Sequence, residues 1–189
     1  SAQSFIHCFH RPYQVHRSST RGGGVIRAWP NRCVEKAERA VPPAIPYSDS
    51  GKALEEIATP GKRTIEEVSS FLQCEPRQLI KTLIYKVNGQ PCAALVAGDR
   101  DLNEHKLARV LETTDITMTD AETIRKATGG DLGFSGPAGL KMPVYADEAL
   151  RGIKGAVIGA NKADTHMLHC DLARDTTVTA YADLVIVRG

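Results

Sequence analysis

The sequence predicts an α/β (α+β) fold in which a mixed, mainly antiparallel sheet is flanked by helices. Residues 83–87 and 92–96 are apolar and flank Asn88-Gly89, a dipeptide suited to a type I′ turn, so they predict a β-hairpin. Short strand and helix patterns alternate after the hairpin, with fewer than the dozen or so residues that a crossover between parallel strands needs. A doubly wound parallel sheet is therefore disfavoured.

Helix starts are marked by side chains that can cap a helix. Thr64 opens a capping box before apolar residues at helical spacing, and Pro76 suits the first turn of a short helix. Asn103 predicts a helix through about residue 111. Thr119 heads a second capping box, whose helix ends at Gly129-Gly130. Further strands are predicted over 142–146, 156–160 and 166–170, with a short helix or turn over 147–150.

Composition excludes several classes of protein. A chain of 189 residues with 42% hydrophobic and 24% charged residues can bury one good core, and its apolar runs are too short to span a bilayer. Five scattered cysteines form no C-x-x-C pair, which indicates a reducing compartment. The first ten residues do not read as a secretory signal. We expect a cytoplasmic location and no membrane partner.

Charge is unevenly distributed along the chain. Residues 1–40 carry seven Lys/Arg and two Glu, a net charge of +5 that leaves −3 for residues 41–189. The basic segment 1–40 lacks an apolar period and is predicted to be a disordered or poorly packed extension, although a basic tail could also contact nucleic acid. Residues 41–58 form a proline-rich connector, 59–178 the folded domain, and 179–189 a flanking segment.

The loop Gly133-Phe134-Ser135-Gly136-Pro137 is the main candidate site. Gly133 and Gly136 allow backbone angles closed to other residues, and we expect Gly136 to need a positive φ. Pro137 stiffens the exit from the loop. Such a loop can offer backbone N–H groups to an oxygen-rich ligand, or it can be an ordinary turn.

Other candidates are side chains on predicted strands. Lys81 begins an apolar strand, so its ammonium either reaches the surface or faces a cleft, where it could meet a phosphate or a carbonyl oxygen. His166, His169 and Cys170 are close in sequence, but on a strand His169 points away from the other two. We therefore predict no metal site, and no motif indicates a cofactor.

Six segments occur in the order found in one known family. The chain resembles the editing insertion of bacterial prolyl-tRNA synthetase, a YbaK-type domain, from residue 59 to about 175. The loop 133–137 is similar to that family's G-x-x-x-P loop. The other matching segments are Thr59-Pro60-Gly61 with 64–67, Ile80-Lys81-Thr82-Leu83, residues 98–107, Gly159-Ala160-Asn161 with His166, and Arg174-Asp175. Residues 34–38 and 182–184 are similar to the borders of the insertion in the synthetase.

The resemblance implies hydrolysis of alanine wrongly esterified to proline tRNA. The implied partners are the 3′ acceptor end of an aminoacyl-tRNA and the remainder of a prolyl-tRNA synthetase. It implies a catalytic role for Lys81, Gly133, Gly136 and Pro137, with water as the attacking group. It implies substrate contacts for Thr59, Asp147 and His166. Two alternatives stay open: an inactive tRNA-binding or interaction module of the same fold, and a deacylase for cysteine or serine.

The chain departs from the family pattern beside the histidine. Met167 stands where the family usually has an aromatic residue, His169 where it often has glycine, and Asp171 where it often has asparagine. We expect these changes to affect substrate packing and not the groups assigned to catalysis.

Overall fold

A computed structural model describes residues 51–131 and 133–186, so the predictions for residues 1–40 and for most of the connector lie outside the described residues. Eight strands and four helices form the described part. The strands are β1 (Glu55–Ala58), β2 (Ile80–Val87), β3 (Gln90–Ala97), β4 (Ile116–Met118), β5 (Val144–Asp147), β6 (Ala156–Gly159), β7 (Thr165–Cys170) and β8 (Ala180–Ala182). The helices are α1 (Ile65–Leu72), α2 (Glu104–Val110), α3 (Ala121–Thr128) and α4 (Leu172–Asp175), with 3₁₀ turns at Pro76–Gln78 and Glu148–Leu150.

The strands form two sheets, and the predicted mixed α/β architecture is confirmed. One sheet has three antiparallel strands in the order β1-β7-β6, and the other has five strands in the order β4-β2-β3-β5-β8. Among the described strands, only the β3–β5 and β5–β8 pairings are parallel. No helix in the described part of the chain is long and apolar enough to cross a membrane.

The β2–β3 hairpin forms the centre of the five-stranded sheet. Its turn has the positive φ values that a type I′ turn requires, 47° at Asn88 and 80° at Gly89. Residues 93–96 of β3 are fully buried because both faces of the strand are covered. Ala93 and Leu95 pack in the core cluster shared with β6 and β7, whereas Ala94 and Val96 pack in the cluster shared with α2.

Two of the three predicted helix caps are confirmed. Thr64 and Glu67 form the reciprocal capping box of α1, and Asn103 accepts hydrogen bonds from the first turn of α2. The prediction that Thr119 caps α3 is wrong. Asp120 is the cap, and its carboxylate accepts a hydrogen bond from the Thr123 N–H at 2.9 Å. The backbone of Thr119 instead extends the β2–β4 pairing, which leaves its side chain free of the cap.

The described C-terminal residues are part of the folded unit. β8 follows residue 178 and pairs with β5, and Leu184 and Val185 are fully buried. Lys106, on α2, is also buried, and its ammonium donates to Asp183 Oδ2 at 2.8 Å and to the Val185 carbonyl at 3.0 Å. These contacts fix residues 183–185 against α2.

Candidate active site

A cavity of about 290 Å³ lies between β2, β6, the first residues of α1, and the loop 133–137. It exists because β4 pairs with β2 only from Tyr85 to Val87, which leaves the first half of that strand edge uncovered. The lining is mainly aliphatic, and its polar or charged side chains come from Arg63, Thr64, Lys81, Thr82, Thr119, Ser135 and His166. An apolar cavity with a few converging polar groups is typical of a small-ligand site.

The loop 133–137 approaches β6 through backbone alone. A Cβ on Gly136 would lie 1.7 Å from the Gly159 carbonyl oxygen, so only glycine fits at that position. The predicted positive φ is found at Gly133, where φ is 93°, and not at Gly136. Close approach, and not a left-handed backbone, is therefore what requires Gly136.

Hydrogen bonds within the loop decide which N–H groups remain for a ligand. The Phe134 N–H donates to the Asp131 carbonyl at 3.0 Å, and the Gly136 N–H donates to Asn161 Oδ1 at 2.8 Å. Pro137 has no N–H. Among the described residues, the N–H groups of Gly133 and Ser135 make no hydrogen bond, and both residues line the cavity. Gly136 and Pro137 support the loop without lining the cavity.

Asn161 holds the loop in place. Its side-chain amide donates to the carbonyls of Gly136 at 3.1 Å and Ala138 at 3.2 Å, and its backbone N–H donates to the Phe134 carbonyl at 2.9 Å. Together with the bond from Gly136 N–H, four hydrogen bonds join one asparagine to the loop. The sequence marked Asn161 only as part of a matching segment, because its partners Phe134, Gly136 and Ala138 lie 23 to 27 residues away.

Thr59 and His166 meet inside the cavity wall, as a pair of buried side chains. Thr59 Oγ1 and His166 Nδ1 are 2.7 Å apart, and the two residues are 0% and 5% exposed. Burial lowers the pKa of His166, which favours the neutral imidazole. Thr59 Oγ1 has no other partner among the described residues, so its proton is satisfied only if it donates to Nδ1. Donation from Thr59 to Nδ1 would leave the imidazole proton on Nε2.

Lys81 borders the cavity, but its ammonium has protein partners. Nζ donates to the Arg100 carbonyl at 2.5 Å and lies 3.4 Å from Asp101 Oδ1. Lys81 also lies on the β2 face that carries Leu83 and Tyr85, opposite the face of Ile80 and Ile84. A phosphate contact would require the ammonium to exchange these partners.

Asp147 is not among the residues that line the cavity. It is 1% exposed, and its carboxylate accepts hydrogen bonds from the backbone N–H groups of Ala149 at 3.1 Å and Leu184 at 3.0 Å. In this arrangement Asp147 joins the end of β5 to the C-terminal residues. The structure therefore brings His166, Lys81 and Gly133 to the cavity lining, places Thr59 against His166 behind that lining, and leaves Asp147 away from it.

The three departures from the family pattern lie outside the cavity lining. Met167 packs against the main core cluster, and Asp171 caps α4 by accepting from the Ala173 N–H at 3.1 Å. His169 has a φ of 63° at an irregularity in the β6–β7 pairing. Glycine adopts that backbone angle at lower cost than histidine.

Comparison with known proteins identifies the class to which this fold and cavity belong. Residues 59–171 match the aminoacyl-tRNA editing domain family. The chain belongs to this family. A crystal structure described as a candidate trans-editing enzyme for prolyl tRNA synthetase shares the fold, with a TM-score of 0.60 and 22% identity, over 72% of this chain and 87% of the other. The YbaK-like fold expected from the sequence is thus confirmed.

The curated relatives are proline–tRNA ligases. The chain is 47% identical over 152 residues to the enzyme of Solidesulfovibrio magneticus and 42% identical over 151 residues to that of Caldicellulosiruptor bescii. Each match covers 80% of this chain and 26% of the ligase. The chain therefore corresponds to an editing domain of the kind found in proline–tRNA ligases, and it spans about a quarter of their length.

Proposed function

We propose that this domain hydrolyses the ester bond of alanine mischarged on proline tRNA. The proposal rests on the hydrogen-bonding groups that line the cavity. The unengaged N–H groups of Gly133 and Ser135 stand in one cavity with the neutral His166, which presents a second kind of donor through Nε2. These are the groups an ester carbonyl needs when it develops negative charge.

The proposed reaction uses water as the nucleophile. The water oxygen forms a bond to the ester carbon, the bond from that carbon to the ribose oxygen breaks, and a proton goes to the departing ribose hydroxyl. The loop donors and His166 Nε2–H stabilise the oxyanion between these steps. The neighbouring ribose hydroxyl of the tRNA activates the water. Ser135 lines the cavity, but no base is seen within hydrogen-bond distance of its hydroxyl among the described residues.

Alanine is the proposed substrate because a synthetic site built for proline cannot strongly exclude a smaller amino acid. The apolar contact that alanine lacks is worth only about 1–3 kcal/mol. A second site that admits alanine and excludes proline completes the selection. The aliphatic lining of the cavity, with His166 at its wall, suits a small apolar side chain.

Lys81 and Asp147 have different parts in this proposal. Lys81 binds the terminal adenosine or its phosphate after its ammonium leaves Arg100 and Asp101. Asp147 does not contact the substrate in this proposal. Its carboxylate supports the fold by joining the end of β5 to the backbone of Ala149 and Leu184. The proposed macromolecular partner is the 3′ acceptor end of the tRNA. Residues 41–189 carry a net charge of −3, so we assign recognition of the tRNA body to the remainder of a prolyl-tRNA synthetase.

The test is a deacylation assay with alanyl-, cysteinyl-, seryl- and prolyl-tRNA in parallel. We expect release of alanine from proline tRNA and no release of proline. Release of cysteine or serine alone would show a deacylase of different specificity. Release from none of the four, with binding of the acceptor end retained, would show an inactive binding module.

A second variant tests the identity of the nucleophile. Ser135→Ala keeps the backbone N–H that we assign to the oxyanion, so deacylation should stay within about threefold of the parent, a difference of less than 1 kcal/mol in the barrier. Loss of turnover in Ser135→Ala would instead indicate attack by the serine hydroxyl.

A further inference from the structure

Two threonine hydroxyls in the cavity are buried without a hydrogen-bond partner. Thr82 Oγ1 and Thr119 Oγ1 have no partner among the described residues, and Thr119 is only 9% exposed. Both residues line the cavity. An unpaired buried hydroxyl costs about 1–3 kcal/mol, so two in one cavity indicate a polar group that they bind.

The two hydroxyls belong to neighbouring positions of the sheet. The Thr119 N–H donates to the Ile84 carbonyl at 3.1 Å, which places Thr119 opposite Ile84. Thr82 precedes Ile84 by two residues, so their side chains share one face of β2. Thr82 and Thr119 are therefore diagonal neighbours, with Cα atoms about 7–8 Å apart and Cβ atoms somewhat closer. One small group between them can contact both hydroxyls.

The backbone of Thr82 adds an acceptor at the same place. The Gly98 N–H donates to the Leu79 carbonyl, so Leu79 faces β3, whereas the Ile84 carbonyl faces the β4 side. Successive residues of a strand direct their carbonyls to opposite edges, so residues two apart share an edge, and the Thr82 carbonyl is directed toward the β4 side like that of Ile84. β4 does not extend that far, since its pairing with β2 begins at Tyr85.

We propose, on the basis of the function above, that Thr82 and Thr119 bind the amino group of the esterified amino acid. The donors that we assign to the ester carbonyl are on the loop 133–137 and His166, whereas Arg63 and Lys81 are the charged side-chain donors among the lining residues. The acceptors are the two hydroxyls and the uncovered strand edge. No Asp or Glu is among the described residues that line the cavity, so the hydroxyls are the side-chain acceptors on this wall.

The test compares valine variants on two substrates. Valine replaces the hydroxyl with a methyl group of similar shape, so Thr82→Val and Thr119→Val should melt at or above the temperature of the parent. Each should lower kcat/KM for alanyl-tRNA at least tenfold. On propionyl-tRNA, whose ester carries a hydrogen atom in place of the amino group and so offers no donor there, the same variants should lose less than threefold.

Thr176→Val is the matched control. Thr176 Oγ1 is also buried without a partner among the described residues, but it does not line the cavity. This variant should melt like the other two and deacylate alanyl-tRNA like the parent.

Two results would overturn the inference. Parent-like turnover of alanyl-tRNA by both variants would show that the hydroxyls bind nothing in the reaction, with the proposed function left standing. An equal loss on alanyl- and propionyl-tRNA would place the two hydroxyls on another part of the substrate. If the parent does not hydrolyse alanyl-tRNA, the contact is tested by binding of an analogue of the acceptor end in which alanine is linked by an amide. Weaker binding of this analogue by both variants supports the amino-group contact. Unchanged binding overturns it.

Discussion

His166 makes the stability of the domain depend on pH. Burial lowers its pKa in the folded state, so the unfolded chain binds its proton more readily. Its contribution is fully present above the unfolded pKa of about 6.5 and is lost as pH falls from there toward the lower folded value. We expect the melting temperature of the parent to fall as the pH is lowered from 7.5 to 5.5. The melting temperature of His166→Gln should fall by less over the same range.

The control for this prediction is His105→Gln. His105 is exposed on α2 and does not line the cavity, so its replacement controls for the loss of a histidine outside the site. If His166→Gln and the parent follow the same curve, the histidine does not titrate with folding.

Sequence reasoning selected Lys81, Gly133 and His166, which line the cavity, but it missed Thr82 and Thr119 and did not give the contacts of the residues it selected. The motif order placed Thr59 and His166 in one site, yet their hydrogen bond joins residues 107 positions apart and depends on the β1–β7 pairing. Thr119 and Asp120 are both good capping residues. Which of them caps α3 is decided by where the pairing with β2 ends, and that is tertiary information.

At the scale of elements, the contact between the loop 133–137 and β6 controls the site. Gly136→Ala would force the loop away from Gly159 and break its hydrogen bonds to Asn161. We expect deacylation to fall at least about a hundredfold, the usual effect of displacing one oxyanion donor. Melting should drop by roughly 4–8 °C for a cost of about 2 kcal/mol.

Gly152→Ala is the matched control for backbone strain. Gly152 has a φ of 75°, and a Cβ there would meet no atom within 4 Å. It should lose about 1–2 kcal/mol of stability and keep parent turnover. If Gly136→Ala also deacylates at the rate of the parent, the loop has no role in the mechanism.

Elements with local signals were predictable, and those with only distant partners were not. The hairpin turn, the α1 capping box and the glycine end of α3 are each specified within a few residues. The three short strands β1, β4 and β8 lie at sheet edges, and their pairing partners are remote in sequence. Strand propensity depends on such neighbours, so these three strands were not predicted, whereas β5 and β6, which are also four residues long, were predicted from their apolar residues.

For the whole molecule, the contact between α2 and residues 183–185 is a global stability element. Lys106→Met keeps most of the side-chain volume but leaves Asp183 and the Val185 carbonyl without the ammonium. Breaking a buried ion pair costs about 3–5 kcal/mol of unfolding free energy. Because Asp183 is partly exposed, we expect the lower value, about 3 kcal/mol, for Lys106→Met. The melting temperature should fall by roughly 6–12 °C.

Arg109→Met on the same helix provides the comparison. Arg109 is exposed, so its replacement should change stability by no more than about 0.5 kcal/mol. Equal melting of the two variants would mean that the Lys106 contacts to Asp183 and Val185 do not contribute to stability.

The crossing of Gly136 and Gly159 also constrains how this sequence can evolve. A Cβ on either glycine would meet main-chain atoms of the other segment, at 1.7 Å from the Gly159 oxygen and at 2.4 Å from the Phe134 and Ser135 oxygens. Overpacked side chains can be accommodated when a neighbour becomes smaller, but main chain cannot shrink. A mutation at one codon therefore has no compensating mutation at the other. We therefore expect any sequence that keeps the geometry of this loop to keep both glycines together.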